Sequence, residues 1–308
     1  MTHAITPDEV IARIDDWRGK DVRWQPLGGG ITNHNYIVTV NGGSGQPGGG
    51  KFVLRIPGQG TDMFINRDVE RACMIEAARV GVAPAVAYVV EPEKAMAITF
   101  IEGEIMHPET MAGHPERIRQ AVETVKVVHE KAVFTNEIHV FEMIRDYTKI
   151  AQKVEAPWPD ELRALFPAID EIEQAMERDK PRPVACHNDL LSENFLIDGN
   201  GKMWLIDWEY GGMTDPYFDL GDFCMEHPFS SDEERLIIAT YCGSFDEHRY
   251  YRMLLHKIVS AVWWAVWAMI QSRISQIDHD FMEWGMERVK RAQRGVADPD
   301  YRRWLATV

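Results

Sequence analysis

The chain has 308 residues, enough for one or two domains with a sizeable core, and its 45% apolar and 26% charged content is that of a globular protein. A formal charge of −15 argues against a nucleic-acid or anionic-membrane partner, either of which calls for a basic face, and suits a small cationic ligand. Cys73, Cys186, Cys224 and Cys242 are scattered without C-x-x-C spacing, so no zinc site or disulfide framework is implied, and reduced thiols in a cytoplasmic protein are expected. The N-terminus has no basic region followed by an apolar run. The most apolar run, 258–270, falls short of the ~20 residues of a bilayer span, so no stable membrane insertion is expected.

Taken in chain order, Thr6-Pro7-Asp8-Glu9 is a helix start, and Val10, Ile11, Ile14 and Trp17 continue as a helical stripe. Gly28-Gly29-Gly30 with Thr32, Asn33 and Asn35 lies between strand-like runs. Backbone N–H groups of such a turn can face phosphates. No Gly-Lys-Ser/Thr follows, so it is not a Walker A loop, and alone it reads as an ordinary glycine turn. Residues 41–50, NGGSGQPGGG, have the composition of a mobile hairpin loop between strands 36–40 and 51–56.

The second of those strands carries Arg55 inside an apolar run, and the helix predicted over 67–80 offers Glu70 and Glu76 as partners. Residues 86–90 and 95–101 read as the last strands of a small sheet. From Pro115 the pattern turns helical: Ile118, Ala121, Val122, Val125 and Val128 recur at helical spacing, with His129 read as a packed or capping residue. Segments 140–154 and 162–178 are two further amphipathic helices.

Two polar clusters follow. The first is His187-Asn188-Asp189 with Asn194 five residues past the aspartate; the second is Asp207, directly after the apolar run 203–206. Between them, Phe195-Leu-Ile, a turn Asp198-Gly-Asn-Gly and the run 203–206 read as a hairpin. Its two arms would return Asn194 and Asp207 to one end. The pattern H-x-D-L-x-x-x-N followed by a strand ending in Asp is the catalytic and metal loop arrangement of the protein-kinase fold. Asp189 is then the residue that orients a hydroxyl and takes its proton, and Asn194 and Asp207 are the oxygen ligands of Mg2+. Further on, Trp264 and Trp267 stand three apart, on one helix face, and Trp284 follows on the next predicted helix within 250–294.

CHNDL…EN together with LIDWEYGG…FDLGDFCMEH resembles the choline/ethanolamine kinase family within the wider aminoglycoside-phosphotransferase-like group, from about residue 27 to about residue 291. The resemblance implies a two-lobed, protein-kinase-like α+β fold: an antiparallel-sheet nucleotide-binding lobe over 1–101 and a mostly helical catalytic lobe over 102–308. It implies ATP and Mg2+, with Gly28, Gly29, Gly30, Thr32 and Asn33 covering the phosphates, Arg55 steadied by Glu70, and Phe100 and Ile101 meeting adenine. His187 and Asp219 would shape the catalytic loop. Trp264, Trp267 and Trp284 would enclose a substrate ammonium group with Glu226 beside it. The activity implied is phosphorylation of a small amino alcohol, choline first. Alternatives are an ethanolamine, thiamine or other small-alcohol or aminoglycoside kinase of the same superfamily, or a catalytically inactive relative that only binds a ligand. Oligomeric state is not specified by the sequence.

Overall fold

The computed structural model describes residues 5–28, 32–41, 49–58, 63–275 and 277–308. Gly29 and Gly30, and most of the loop 41–50, lie outside the described residues. The chain divides into two compact units, Met1–Glu104 with Ile197–Tyr210, and Ile105–Leu196 with Gly211–Val308. The expected division after residue 101 therefore moves to Glu104, and the segment bearing Asp207 joins the first unit.

In the first unit, helix α1 (Pro7–Ile11) begins with a reciprocal cap: Thr6 accepts the Glu9 N–H and Glu9 accepts the Thr6 N–H. The helix is shorter than the predicted stripe. A 3-10 turn, Asp15–Trp17, takes over, and Val10, Ile14 and Trp17 still reach one core. Strands β1 (Asp21–Leu27), β2 (Asn33–Asn41) and β3 (Gly50–Pro57) precede helix α2 (Arg67–Arg79), and β4 (Val86–Val90) and β5 (Ala95–Thr99) follow it. They form an antiparallel sheet in the order β1-β2-β3-β5-β4. The mostly exposed edge strand β1 carries Pro26, a residue that edges tolerate because it has no N–H for the ladder. Phe52, Leu54 and Ile56 of β3 pack in the core with Trp17 and Val38. Side chains alternate along a strand, so Arg55 is sent to the opposite face. That alternation explains a buried charge inside an apolar run.

Residues 103–105, unassigned from sequence, form strand β6 (Gly103–Ile105). In the second unit come helices α3 (Pro108–Met111), α4 (Pro115–Lys131), α5 (Val140–Lys153), α6 (Asp160–Arg163) and α7 (Phe166–Met176). The single helix expected over 162–178 is thus two. Pro167 stands in the first turn of α7, where its missing N–H has no helical partner to lose. Strand β7 (Val184–Cys186) leads into the catalytic-loop segment, followed by β8 (Phe195–Asp198), β9 (Met203–Leu205) and β10 (Gly212–Thr214). The predicted hairpin is β8–β9, in a small sheet ordered β6-β8-β9, and Asp198 accepts the N–H groups of Asn200 and Lys202 to form its turn.

The rest is helical: α8 (Pro216–Glu226), α9 (Ser231–Cys242), α10 (Glu247–Ile274), α11 (Phe281–Val296) and α12 (Tyr301–Thr307). Helix α10 packs against α5, α8 and α11. It is long and apolar enough to cross a membrane, which the run 258–270 alone did not suggest, but 94% of its most apolar window is buried inside the protein. That is the pattern of a central core helix. Helix α8 approaches α10 so closely at Gly221 that an added Cβ would lie 2.7 Å from the Lys257 backbone nitrogen, so only glycine fits.

Candidate active site

The first unit contributes a buried network of charges. Arg55 Nη2 reaches Asp207 Oδ1 at 2.7 Å, Glu70 Oε1 at 3.1 Å and Glu209 Oε1 at 3.3 Å. Of the two candidate partners on α2, Glu70 is the one that meets Arg55; Glu76 pairs with Arg79 instead. Arg67, unnoticed in the sequence, bridges Glu70 (2.8 Å) and Glu209 (2.9 Å). Burial alone would lower the Arg55 pKa, but the charges of Asp207, Glu70 and Glu209 outweigh it and raise it. Three carboxylates against two guanidiniums leave one negative charge in excess. Asp207 itself is the outermost of the set, and its backbone is left-handed (φ 68), a conformation that costs a non-glycine residue ~1 kcal/mol or more and that often marks a functional turn.

Glu209 is a site residue that sequence reading missed. It accepts Thr32 Oγ1 (2.6 Å), Asn33 Nδ2 (2.5 Å) and both arginines. Burial, then the charge of Asp207, pushes its pKa up to about 7 despite the two guanidiniums. Thr32 and Asn33, expected to line the phosphates, are thus turned onto this carboxylate. Gly28 is exposed with open space about its Cα. The expectation at Phe100 also changes. Its N–H donates to the Lys51 carbonyl (3.0 Å) and its ring carries the Lys51 ammonium 3.9 Å from the centroid, because residue 100 closes the β3–β5 ladder. Its N–H is therefore not available to a nucleotide base; Ile101 beside it is half-buried.

The second unit shapes the loop that bears Asp189. Asp219 of α8 is wholly buried and accepts the His187 N–H (2.8 Å) and the Asn188 N–H (2.6 Å). With its amide so held, Asn188 adopts φ 66, the second left-handed non-glycine residue at the predicted motifs. His129, read from sequence as merely packed, donates Nε2–H to Asp219 Oδ2 (2.9 Å), and its Nδ1 faces the Tyr241 hydroxyl (2.9 Å). Ninety residues separate His129 from Asp219, and only the fold reveals the pair. Asn194 Nδ2 donates to the Asp189 carbonyl (2.8 Å) and to Asp189 Oδ2 (3.2 Å). Ser192 is tied to His227, whose Nδ1–H is taken by the Phe223 carbonyl; burial lowers the His227 pKa to about 4, keeping the ring neutral.

The tryptophans do meet. Trp264 and Trp267 lie 5.7 Å apart edge to face, and Trp284 stands 6.5 Å and 5.8 Å from them. Trp264 and Trp267 are buried and Trp284 is half-buried. Glu226 departs from expectation: both its oxygens are gripped by Arg288 Nη2 (2.9 and 2.7 Å), and the pair is buried. Its charge is therefore neutralised from within. The Arg288 guanidinium also covers one face of Trp284, 3.0 Å from the ring centroid. The signal was present in the sequence, since residues 284 and 288 are one helical turn apart. A cavity of ≈ 570 Å³ beside His227, Lys257 and Arg291 includes none of these tryptophans, nor Asp189 or Asn194. The site is defined by the loop and its supports, not by the size of that cavity.

The family model described as "Phosphotransferase enzyme family" matches residues 23–254. Protein LicA of Haemophilus influenzae is 26% identical over 276 residues, covering 85% of this chain and 97% of its own. The structure of a choline/ethanolamine kinase family protein from Mesorhizobium loti superposes with a TM-score of 0.82 at 29% identity, over 96% of each chain. The choline kinase LicA of Streptococcus pneumoniae gives a TM-score of 0.73 at 22% identity, over 93% of this chain and 94% of its own, a likeness of fold. These neighbours share the small antiparallel sheet and larger helical part described above. With the family match running over well more than half of its length, the chain belongs to the phosphotransferase enzyme family.

Proposed function

We propose that the protein transfers the γ-phosphoryl group of ATP to the hydroxyl of a small cationic amino alcohol, choline before ethanolamine, giving the phosphoester and ADP. The observation that carries this reading is the loop 187–194. Two backbone amides are fixed by Asp219, and Asp189 is fixed by the Asn194 amide. Such a carboxylate is positioned rather than mobile, and positioning is most of what phosphoryl transfer asks of a protein. In this reading Asp189 orients the acceptor hydroxyl and takes its proton, while Arg55 binds phosphate oxygens through its planar fork.

As the proposed ligands of a magnesium ion, Asn194 and Asp207 each keep one oxygen for it within their own unit. Asn194 uses its amide nitrogen on Asp189, and Arg55 uses Asp207 Oδ1; Asn194 Oδ1 and Asp207 Oδ2 accept no hydrogen bond among the described residues. Both are hard oxygen donors of the kind Mg2+ prefers, and the excess negative charge about Asp207 suits a cation. Bound there, the ion would neutralise charge that develops on the phosphates. Glu70 and Glu209, although near Asp207, already hold the two arginines and are read as the network that keeps Arg55 and Asp207 in place.

Choline is favoured over ethanolamine by the composition of the head-group region. A primary ammonium needs acceptors, and Glu226 is already taken by Arg288. A trimethylammonium group needs ring faces, each worth ~0.5–2 kcal/mol, and three indoles are gathered there. The names of the relatives, which include both choline and ethanolamine kinases, support the substrate class. Steady-state kinetics on choline, ethanolamine and thiamine should give choline the highest kcat/KM, by about tenfold or more on the strength of one to two ring contacts. A tenfold preference for ethanolamine would end the choline assignment.

A further inference from the structure

Asp222 is wholly buried on α8, three residues after Asp219 and one turn before Glu226. Its Oδ2 accepts the Leu190 N–H (2.6 Å), and its Oδ1 accepts the Ser260 hydroxyl (2.5 Å) and the Trp264 indole N–H (2.9 Å). Leu190 is the residue after Asp189, and Trp264 is one of the three gathered indoles. One carboxylate thus joins the Asp189 loop to the wall of the proposed head-group region. An indole that donates its N–H to an anion gains electron density over its ring, which strengthens attraction for a cation on the ring face.

We propose that Asp222 is the positioning residue of the head-group site: it anchors the Asp189 loop through Leu190 and polarises Trp264, and thereby supplies the anionic character that selects a cation, the role expected of Glu226. The proposal rests on the reading of the chain as a kinase for a cationic alcohol. Asp222 does not touch the substrate, since its oxygens already face three protein donors. It acts through Trp264.

The charges around it are few. Glu226 lies on its own helix, where its charge still acts on Asp222, and Arg288 comes from α11 and is ion-paired with Glu226. The Cys224 thiol is on the same helix, with its pKa raised by burial. From α10, His256 and Lys257 are turned to Asp215 and Glu234, so that helix presents only the neutral donors Ser260 and Trp264. From the loop, Asp189 neighbours Leu190. Burial, then the charge of Glu226, pushes the Asp222 pKa up to about 7. A bound cation favours the ionised form, so cation affinity should rise with pH between about 5.5 and 8.

The test is equilibrium binding of choline and of its neutral isostere 3,3-dimethyl-1-butanol, followed by calorimetry across that pH range. The intact protein should bind choline about tenfold or more tightly than the isostere at pH 8, with the preference shrinking as pH falls and isostere affinity staying flat. Asp222→Asn should lose most of the preference and its pH dependence while keeping its affinity for the isostere. A variant that retains the preference, or that loses both ligands equally, overturns the proposal while leaving the kinase reading in place. No preference for choline in the intact protein overturns the cationic-substrate reading and this inference together. The pH dependence of the intact protein decides the matter even if the variant does not fold: a pH-independent choline preference overturns it.

Discussion

Asp189→Asn should lower kcat for the preferred amino alcohol by about 10²–10⁴-fold while nucleotide affinity stays within about twofold. The substitution is nearly isosteric and leaves the supports of the loop in place. Asp219 still holds the amides of His187 and Asn188, Asp222 still holds that of Leu190, and Asn194 keeps its bond to the carbonyl of residue 189. What is removed is the ability to take a proton from the acceptor hydroxyl. Steady-state kinetics and nucleotide titration on the same preparation separate the two effects. Unchanged turnover would take Asp189 out of its assigned role, and lost nucleotide binding would show that the variant had disturbed more than the proton acceptor.

Arg55→Met should destabilise the first unit by about 3–5 kcal/mol, because it strips the partner from carboxylates that have little access to water. Glu70 and Glu209 are 1% and 5% exposed, and among the described residues only the Arg67 guanidinium is left to serve both and none is left to Asp207. The expected signature is a melting temperature lower by the order of 10 °C at pH 8. Its pH dependence follows from the sign of the shift. Glu209, already raised to about 7 by burial and the charge of Asp207, loses one of the two guanidiniums that hold it down, so its folded-state pKa rises further above the unfolded value. The folded form then holds more protons, and stability falls as pH rises through that window. The gap between variant and parent should therefore narrow toward pH 5. A gap that is constant with pH would mean that lost packing, not uncompensated charge, is responsible.

The parts of this site that were legible in the sequence are those that a short stretch encodes. Asp189 and Asn194 stand on one loop at fixed spacing, Asp207 follows a strand, and strand alternation puts Arg55 across from an α2 glutamate. Trp264 and Trp267 share a helix face by arithmetic. What was not legible depends on side chains brought from far away. The pairing of His129 with Asp219 joins α4 to α8, and Glu209 gathers Thr32, Asn33, Arg55 and Arg67 from three separate segments. A sequence also cannot show that a charge is already satisfied. Glu226 reads as a free anion beside a substrate until Arg288 is found holding both its oxygens, and Thr32 and Asn33 read as phosphate ligands until Glu209 is found accepting from both. The break between α6 and α7 was available from Pro167, but amphipathic spacing across 162–178 concealed it.

The most direct test of the central claim is phosphorus NMR of the protein incubated with ATP, magnesium and choline. The account predicts that a phosphomonoester signal of phosphocholine grows in step with ADP, and that neither appears at a comparable rate without an alcohol acceptor. ADP formation that is indifferent to choline, ethanolamine and thiamine alike, with no phosphoester formed, would contradict it.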